Sequence, residues 1–126
     1  MIKEEIRHIC EISNIEFDET LSEKFITNFK DKVNWYNISY NQKLSEDFIR
    51  EFQYKINWSY ISHYQTLSEE FIREFQDKVD WDDISCSQKL SENIIRKFID
   101  KLNAEFIIQY NKVISEDFRK LLKVWS

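Results

Sequence analysis

The chain has 126 residues, 42% hydrophobic and 16% aromatic, with a formal net charge of −5, two cysteines, no glycine and no proline. This is apolar material for one domain of ordinary size. The composition argues against flexible linkers, most tight hairpins, a disulfide framework and the basic stripe that general nucleic-acid binding needs.

Charge is spread unevenly. Residues 1–20 and 67–89 each carry −4, whereas residues 21–43 carry +2. An acidic balance disfavours nucleic acid and leaves room for a basic protein partner. Without glycine or proline, every corner must be made with Ser, Asn, Asp or Lys.

The chain is a repeat. Leu-Ser-Glu begins at residues 21, 44, 67 and 90, three steps of 23, and Ile114-Ser115-Glu116 follows after 24. Repetition at a fixed short period marks a stacked, quasi-one-dimensional protein. Residues 1–20 read as a degenerate, acidic N-terminal cap, entered part-way through the repeat, with Ile2, Ile6 and Cys10 in the slots of Phe25, Phe29 and Val33.

Residues 21–43, 44–66 and 67–89 are close copies. In the third, Ser68 is placed as an N-cap, with Leu67 and Ile72 as a hydrophobic staple. Phe71, Ile72, Phe75 and Val79 then form one apolar stripe, which predicts a helix of about 12 residues. Glu69 and Glu70 suit the positive end of its dipole, and Lys78 the negative end. A second cap follows at Asp80, with Asp83 in the capping-box position and Val79/Ile84 as the next staple. Asn34 and Asn57 take the same cap in the other copies. Trp81, Ile84, Ser85 and Gln88 share one face of a second helix of about 8 residues. The first helix would run about 18 Å and the second about 12 Å. Phe25/Phe48/Phe71, Phe29/Phe52/Phe75 and Trp35/Trp58/Trp81 are expected as inward ladders. Gln42, Gln65 and Gln88 are expected to hydrogen-bond across repeat boundaries, because inward polar groups need partners.

Residues 90–113 are a divergent repeat. Ile94 replaces the first Phe, Ala104 replaces Trp, and one residue is inserted before Ile114. Residues 114–126 supply a C-terminal cap helix with Phe118, Leu121, Leu122 and Trp125. The expected fold is therefore all-α: a small right-handed α-solenoid of short helix–turn–helix repeats forming a single domain over residues 1–126. The alternative is a leucine-rich-repeat-like α/β solenoid, in which the second segment is a strand. Asp82-Asp83 in that slot is poor strand material.

The slots that vary among the three copies fall mainly on the second helix, opposite Trp, Ile, Ser and Gln. The candidate partner-binding residues are Tyr36, Asn37, Tyr40, Asn41, Tyr60, His63 and Tyr64, with the acidic residues Glu74, Asp77, Asp82 and Asp83. Tyrosine gives contact area at low entropic cost; neutral drift on a solvated face is the competing reading. His8 with Cys10, and His63 with Cys86, lack zinc-ligand spacing. No nucleophile or pocket glycine accompanies His63, so neither an enzyme, a metal nor a cofactor is expected. Cys10 is expected to be buried and Cys86 exposed, as in a reducing compartment. The N-terminal MIKEEIRHIC lacks an apolar h-region, so no signal peptide is expected, and no apolar run reaches membrane-spanning length. The Asn37 and Asn57 glycosylation patterns would then go unused.

The run LSEDFIREFQ(D/Y)K(V/I)(N/D)W…IS…QKLSE resembles the tandem LSExFIxxFxxKVxWxxIS repeats in proteins of mimivirus-like giant viruses, phages and low-GC bacteria. The resemblance covers residues 21–89 well and the flanks loosely. It implies a viral, phage or bacterial repeat protein of the cytoplasm (the host's, if viral) and carries over no functional residue. The function expected is non-enzymatic protein binding through the exposed face of the second helices. A sharper version is a phage or viral inhibitor of a host defence nuclease complex, with acidic residues competing for a nucleic-acid site. A third is a helical-repeat nucleic-acid reader using Tyr36, Tyr40, Tyr60 and Tyr64. Exposed end units would also allow stacking into a homodimer.

Overall fold

A computed structural model describes residues 20–125. Readings placed on residues 1–19, Cys10 among them, lie outside the described residues. Among the described residues the chain is all-helical, with nine helices and no strand, in regularly spaced pairs. The first members are α1 (Glu23–Asn28), α3 (Glu46–Glu51), α5 (Glu69–Glu74) and α7 (Glu92–Lys97). The second members are α2 (Trp35–Asn41), α4 (Trp58–Tyr64), α6 (Trp81–Ser87) and α8 (Ala104–Tyr110), and α9 (Glu116–Trp125) follows. The α/β alternative is overturned: the segment containing Asp82-Asp83 is helical. Two compact units result, one up to Ile61 and one from Ser62 onward.

The caps are those the sequence marks. Ser22, Ser45, Ser68 and Ser91 sit in extended backbone and accept the amide three residues on. Asn34, Asn57 and Asp80 do the same for the second helices, at 3.2, 2.8 and 3.1 Å. No described residue has a positive φ, so a chain without glycine turns every corner in ordinary backbone.

The first helices are shorter than the apolar stripe suggests: six residues, not about 12. Each ends at a Phe cap, for example Phe75 at φ −107° and ψ 29°. One tighter turn then hangs from that Phe carbonyl, which accepts both Lys78 N–H (2.9 Å) and Val79 N–H (3.0 Å). The next carbonyl is turned to the tryptophan: Gln76 O accepts from Trp81 Nε1 at 3.0 Å, as Lys30 does from Trp35 and Gln53 from Trp58. The indole satisfies a carbonyl that a longer helix would have used. Lys78 therefore stands beyond the helix, and Arg73 is the last-turn cation. The tryptophans are half-buried rather than fully inward. Trp35 packs on Phe52 and Trp81 on Phe98, both with ring centroids 5.0 Å apart.

Within each unit the core consists of Phe and Ile from the first helices and Ile from the second. In the later unit, Phe71, Ile72, Ile84, Ile95 and Ile107 are fully buried. Each contributes on the order of 2 kcal/mol at ~25 cal/mol per Å2 of apolar area. In the first described repeat, Phe25 and Phe29 are only half-buried.

Polar side chains fix the register between repeats. Gln88 accepts from Leu67 N–H at 3.1 Å and donates to the carbonyls of Ser62 (2.9 Å) and Gln65 (2.6 Å). The expectation for the glutamines is thus met at Gln88. In the divergent repeat, Asn111 takes the glutamine slot and donates to Leu90 O at 3.1 Å. Glu69 reaches the next cap: it accepts from Ser91 N–H and Ser91 Oγ, both at 2.9 Å. Glu23 does the same at Ser45, and Glu92 accepts from Ser115 N–H. Arg119 of α9 donates to the carbonyls of Ile108 and Asn111, closing the end of α8. No described helix is long and apolar enough to cross a membrane.

Candidate binding surface on the second helices

Trp, Ile, Ser and Gln turn one face of each second helix inward, so the remaining positions face out. Tyr36, Tyr40, Tyr60, His63, Tyr64 and Asp82 are exposed, and Asp83 is half-buried. The structure sorts these residues into two patches, one in each compact unit.

In the unit up to Ile61, the Tyr60 ring meets both tyrosines of α2. Its centroid lies 5.9 Å from Tyr36 and 5.8 Å from Tyr40, at interplanar angles of 76° and 67°. Edge-to-face contact is the favoured geometry for aromatic pairs. The three rings hold one another in place while remaining 61%, 39% and 36% exposed for Tyr36, Tyr40 and Tyr60. Asn37 and Asn41 are half-buried. Asn37 donates its amide to the Asn34 cap, and Asn41 Nδ2 is buried with no hydrogen-bond partner.

In the unit from Ser62, His63 of α4 faces α6. Its Nδ1 lies 3.2 Å from Asp83 Oδ1 and 3.0 Å from Ser87 Oγ. An ionised carboxylate only accepts, so pairing with ionised Asp83 requires Nδ1–H. The ring also lies edge-on to Tyr64, with centroids 4.6 Å apart. Burial, and then the charge of Asp80, push the Asp83 carboxyl above its ordinary range, opposed by the bond to His63. Burial and the carboxylates Asp83, Asp82 and Asp80 push the Cys86 thiol up as well. Cys86 is half-buried, not exposed.

One expectation needs correction here. Asp83 does not complete a capping box, because the Asp80 amide donates instead to Ser62 Oγ at 3.0 Å and Asp83 turns to His63. Glu74 and Asp77 are exposed, at the end of α5 and in the turn after it. Ser87 is the residue that the candidate set omits. One spacing rule finds it. Tyr36 and Tyr40 lie 24 and 20 residues before Tyr60, and Ser87 and Asp83 lie 24 and 20 residues after His63. A period of 23, offset by +1 or −3, places residues opposite each other on successive second helices.

Comparison with protein-family models, curated proteins and solved structures finds no match.

Proposed function

We propose that the chain is a non-enzymatic protein-binding module that contacts its partner through the exposed faces of its second helices. The observation that carries this reading is the Tyr36–Tyr60–Tyr40 cluster: three large rings, mutually braced yet open to solvent. Bracing lowers the ordering cost on binding, and amphipathic rings suit a protein surface.

The test is capture from host lysate with the intact chain and with a Tyr36→Ser/Tyr60→Ser variant. Lys120→Ser, far along the sequence on α9, serves as the control. A partner held by the wild type and the control, and weakened by about tenfold or more in the tyrosine variant, supports the reading. A partner held equally by all three removes it.

A second reading has its own observation. Asp80, Asp82 and Asp83 crowd the first turn of α6, closely enough for Asp80 and Asp82 to disfavour ionisation of Asp83. Such a cluster suits a basic surface, as in an inhibitor of viral or phage origin that competes for a nucleic-acid site. Asp82→Lys separates the readings: it abolishes capture in the second and spares it in the first. Salt-sensitive binding of single-stranded RNA or DNA by the purified chain would instead favour the nucleic-acid reader.

A further inference from the structure

Three second helices open with tryptophan and the fourth opens with Ala104. In the three, the indole N–H donates at 3.0 Å to the carbonyl five residues before it. In two, the ring packs on a Phe of the next repeat, 5.0 Å away. The counterpart carbonyl in the fourth repeat is that of Ile99, and Ala104 offers it no donor. An open depression of about 380 Å3 lies there, lined by Ile99, Leu102, Asn103, Ala104, Glu105 and Trp125. The Trp125 ring forms one wall. It is held edge-on to Phe118, with centroids 6.4 Å apart at 88°, and by the Arg96 guanidinium, 6.0 Å from its ring. Phe118 is the counterpart of Phe48, against which Trp35 packs at 6.2 Å.

We propose that this depression is a binding site for an indole ring, carried by a tryptophan side chain of a polypeptide ligand. The chain itself supplies the template, since each sister slot is filled by an indole that arrives on a polypeptide and donates to the same carbonyl. The sister indoles reach their slots on main chain, which favours a polypeptide over a free indole. The Ile99 carbonyl selects for an N–H donor, and Trp125 in the lining offers an aromatic contact. This inference does not rest on the tyrosine cluster, and Tyr36→Ser/Tyr60→Ser leaves the measurement below unchanged.

The experiment titrates the intact, 15N-labelled chain with N-acetyltryptophanamide, its 1-methylindole analogue, N-acetylphenylalaninamide and free indole. The expected result is saturable shifts centred on the amides of Ala104 and Glu105 and on the Trp125 indole. A dissociation constant on the order of millimolar is expected for so small a ligand. The 1-methyl and phenylalanine analogues should bind about tenfold more weakly, because they leave the carbonyl without a donor. Ala104→Trp should restore the repeat's own indole, raise Tm and abolish the shifts. Ala104→Leu, a smaller filling, should weaken them. Equal binding of the 1-methyl analogue, no shifts near Ala104, or full binding by a folded Ala104→Trp chain would each overturn the proposal. Binding of free indole without binding of N-acetyltryptophanamide would overturn the polypeptide assignment.

Discussion

The amide of Asn103, the cap of α8, donates to the hydroxyl of Ser85 in α6 at 2.9 Å, and that hydroxyl donates at 2.7 Å to the Trp81 carbonyl. The pattern recurs: Ser39 Oγ accepts from Asn57 N–H and Ser62 Oγ from Asp80 N–H, each at 3.0 Å. A buried serine thus hands the cap of the next second helix its missing acceptor. Ser85→Ala leaves that amide unsatisfied and should destabilise by about 1–3 kcal/mol. Urea denaturation measures this, and a loss below about 0.5 kcal/mol would show that water replaces the hydroxyl.

The tryptophans should contribute through two separable interactions. Trp81→Phe keeps an aromatic ring against Phe98 but loses the bond to the Gln76 carbonyl. It should cost about 0.5–1.5 kcal/mol. Trp81→Ala loses both and should cost about 3 kcal/mol, near the lower end for buried aromatics because the side chain is half-buried. Equal losses for the two variants would show that the hydrogen bond, not ring packing, carries the contribution.

Much of this architecture is legible in the sequence, because the signals are local. Ser68 and Asp80 announce caps through residue type alone, and the Phe71–Ile72–Phe75 stripe announces a buried face. The exposed face follows by subtraction, so Tyr36, Tyr40, Tyr60 and His63 are found where expected. What the sequence hides is cross-repeat chemistry. Nothing in Glu69 alone distinguishes a dipole partner from a group that binds Ser91, one repeat on. The short first helix is likewise hidden: all four end at the Phe position, with an indole reaching back in three and none in the fourth, while the apolar stripe runs on past the helix. The Ala104 depression becomes visible only once the tryptophan's role in the sister repeats is known.

The Glu69–Ser91 contact should act on local opening more than on global stability. It is solvent-exposed, so water can replace either bond, and Glu69→Gln should cost no more than about 1 kcal/mol globally. The Ser91 amide, however, loses a charge-assisted acceptor. Its hydrogen exchange should quicken by roughly tenfold, in keeping with a local opening. Amide-resolved exchange checks this, with the amide of Ile84, deep in α6, as the internal standard. Equal acceleration at Ser91 and Ile84 would mean that the variant acts globally.

Asp83 should give the fold a pH dependence of unusual sign for a carboxylate. Burial, first, and Asp80, second, raise its folded value above the ordinary 3.8. Between that value and the raised one, the folded chain holds the proton while the unfolded chain has lost it. The contribution of this group to stability therefore falls as pH rises through that window, and is highest below it. Asp83→Asn removes the titration. The urea midpoint of the variant, relative to wild type, should shift in the variant's favour as pH is raised upward from 3.8. A constant offset across that range would show that the carboxyl does not titrate differently in the two states.

Cys86 should be a slow thiol whose rate the acidic turn controls. Burial, then the carboxylates of Asp83, Asp82 and Asp80, raise its ionisation above the ordinary 9.0. The thiolate is the reactive form, and less of it is present at any pH below that range. Iodoacetamide at pH 8 should therefore alkylate Cys86 several-fold more slowly than an unstructured cysteine peptide. Asp82→Asn removes one of the three charges from an exposed position, so it should speed the reaction without unfolding the helix. Glu105→Gln, an exposed charge on α8 that is not among the groups raising the thiol, should leave the rate unchanged. Peptide-resolved mass spectrometry separates Cys86 from Cys10. An Asp82→Asn rate equal to wild type would remove Asp82 from the causes and leave burial, the largest, with Asp83 and Asp80.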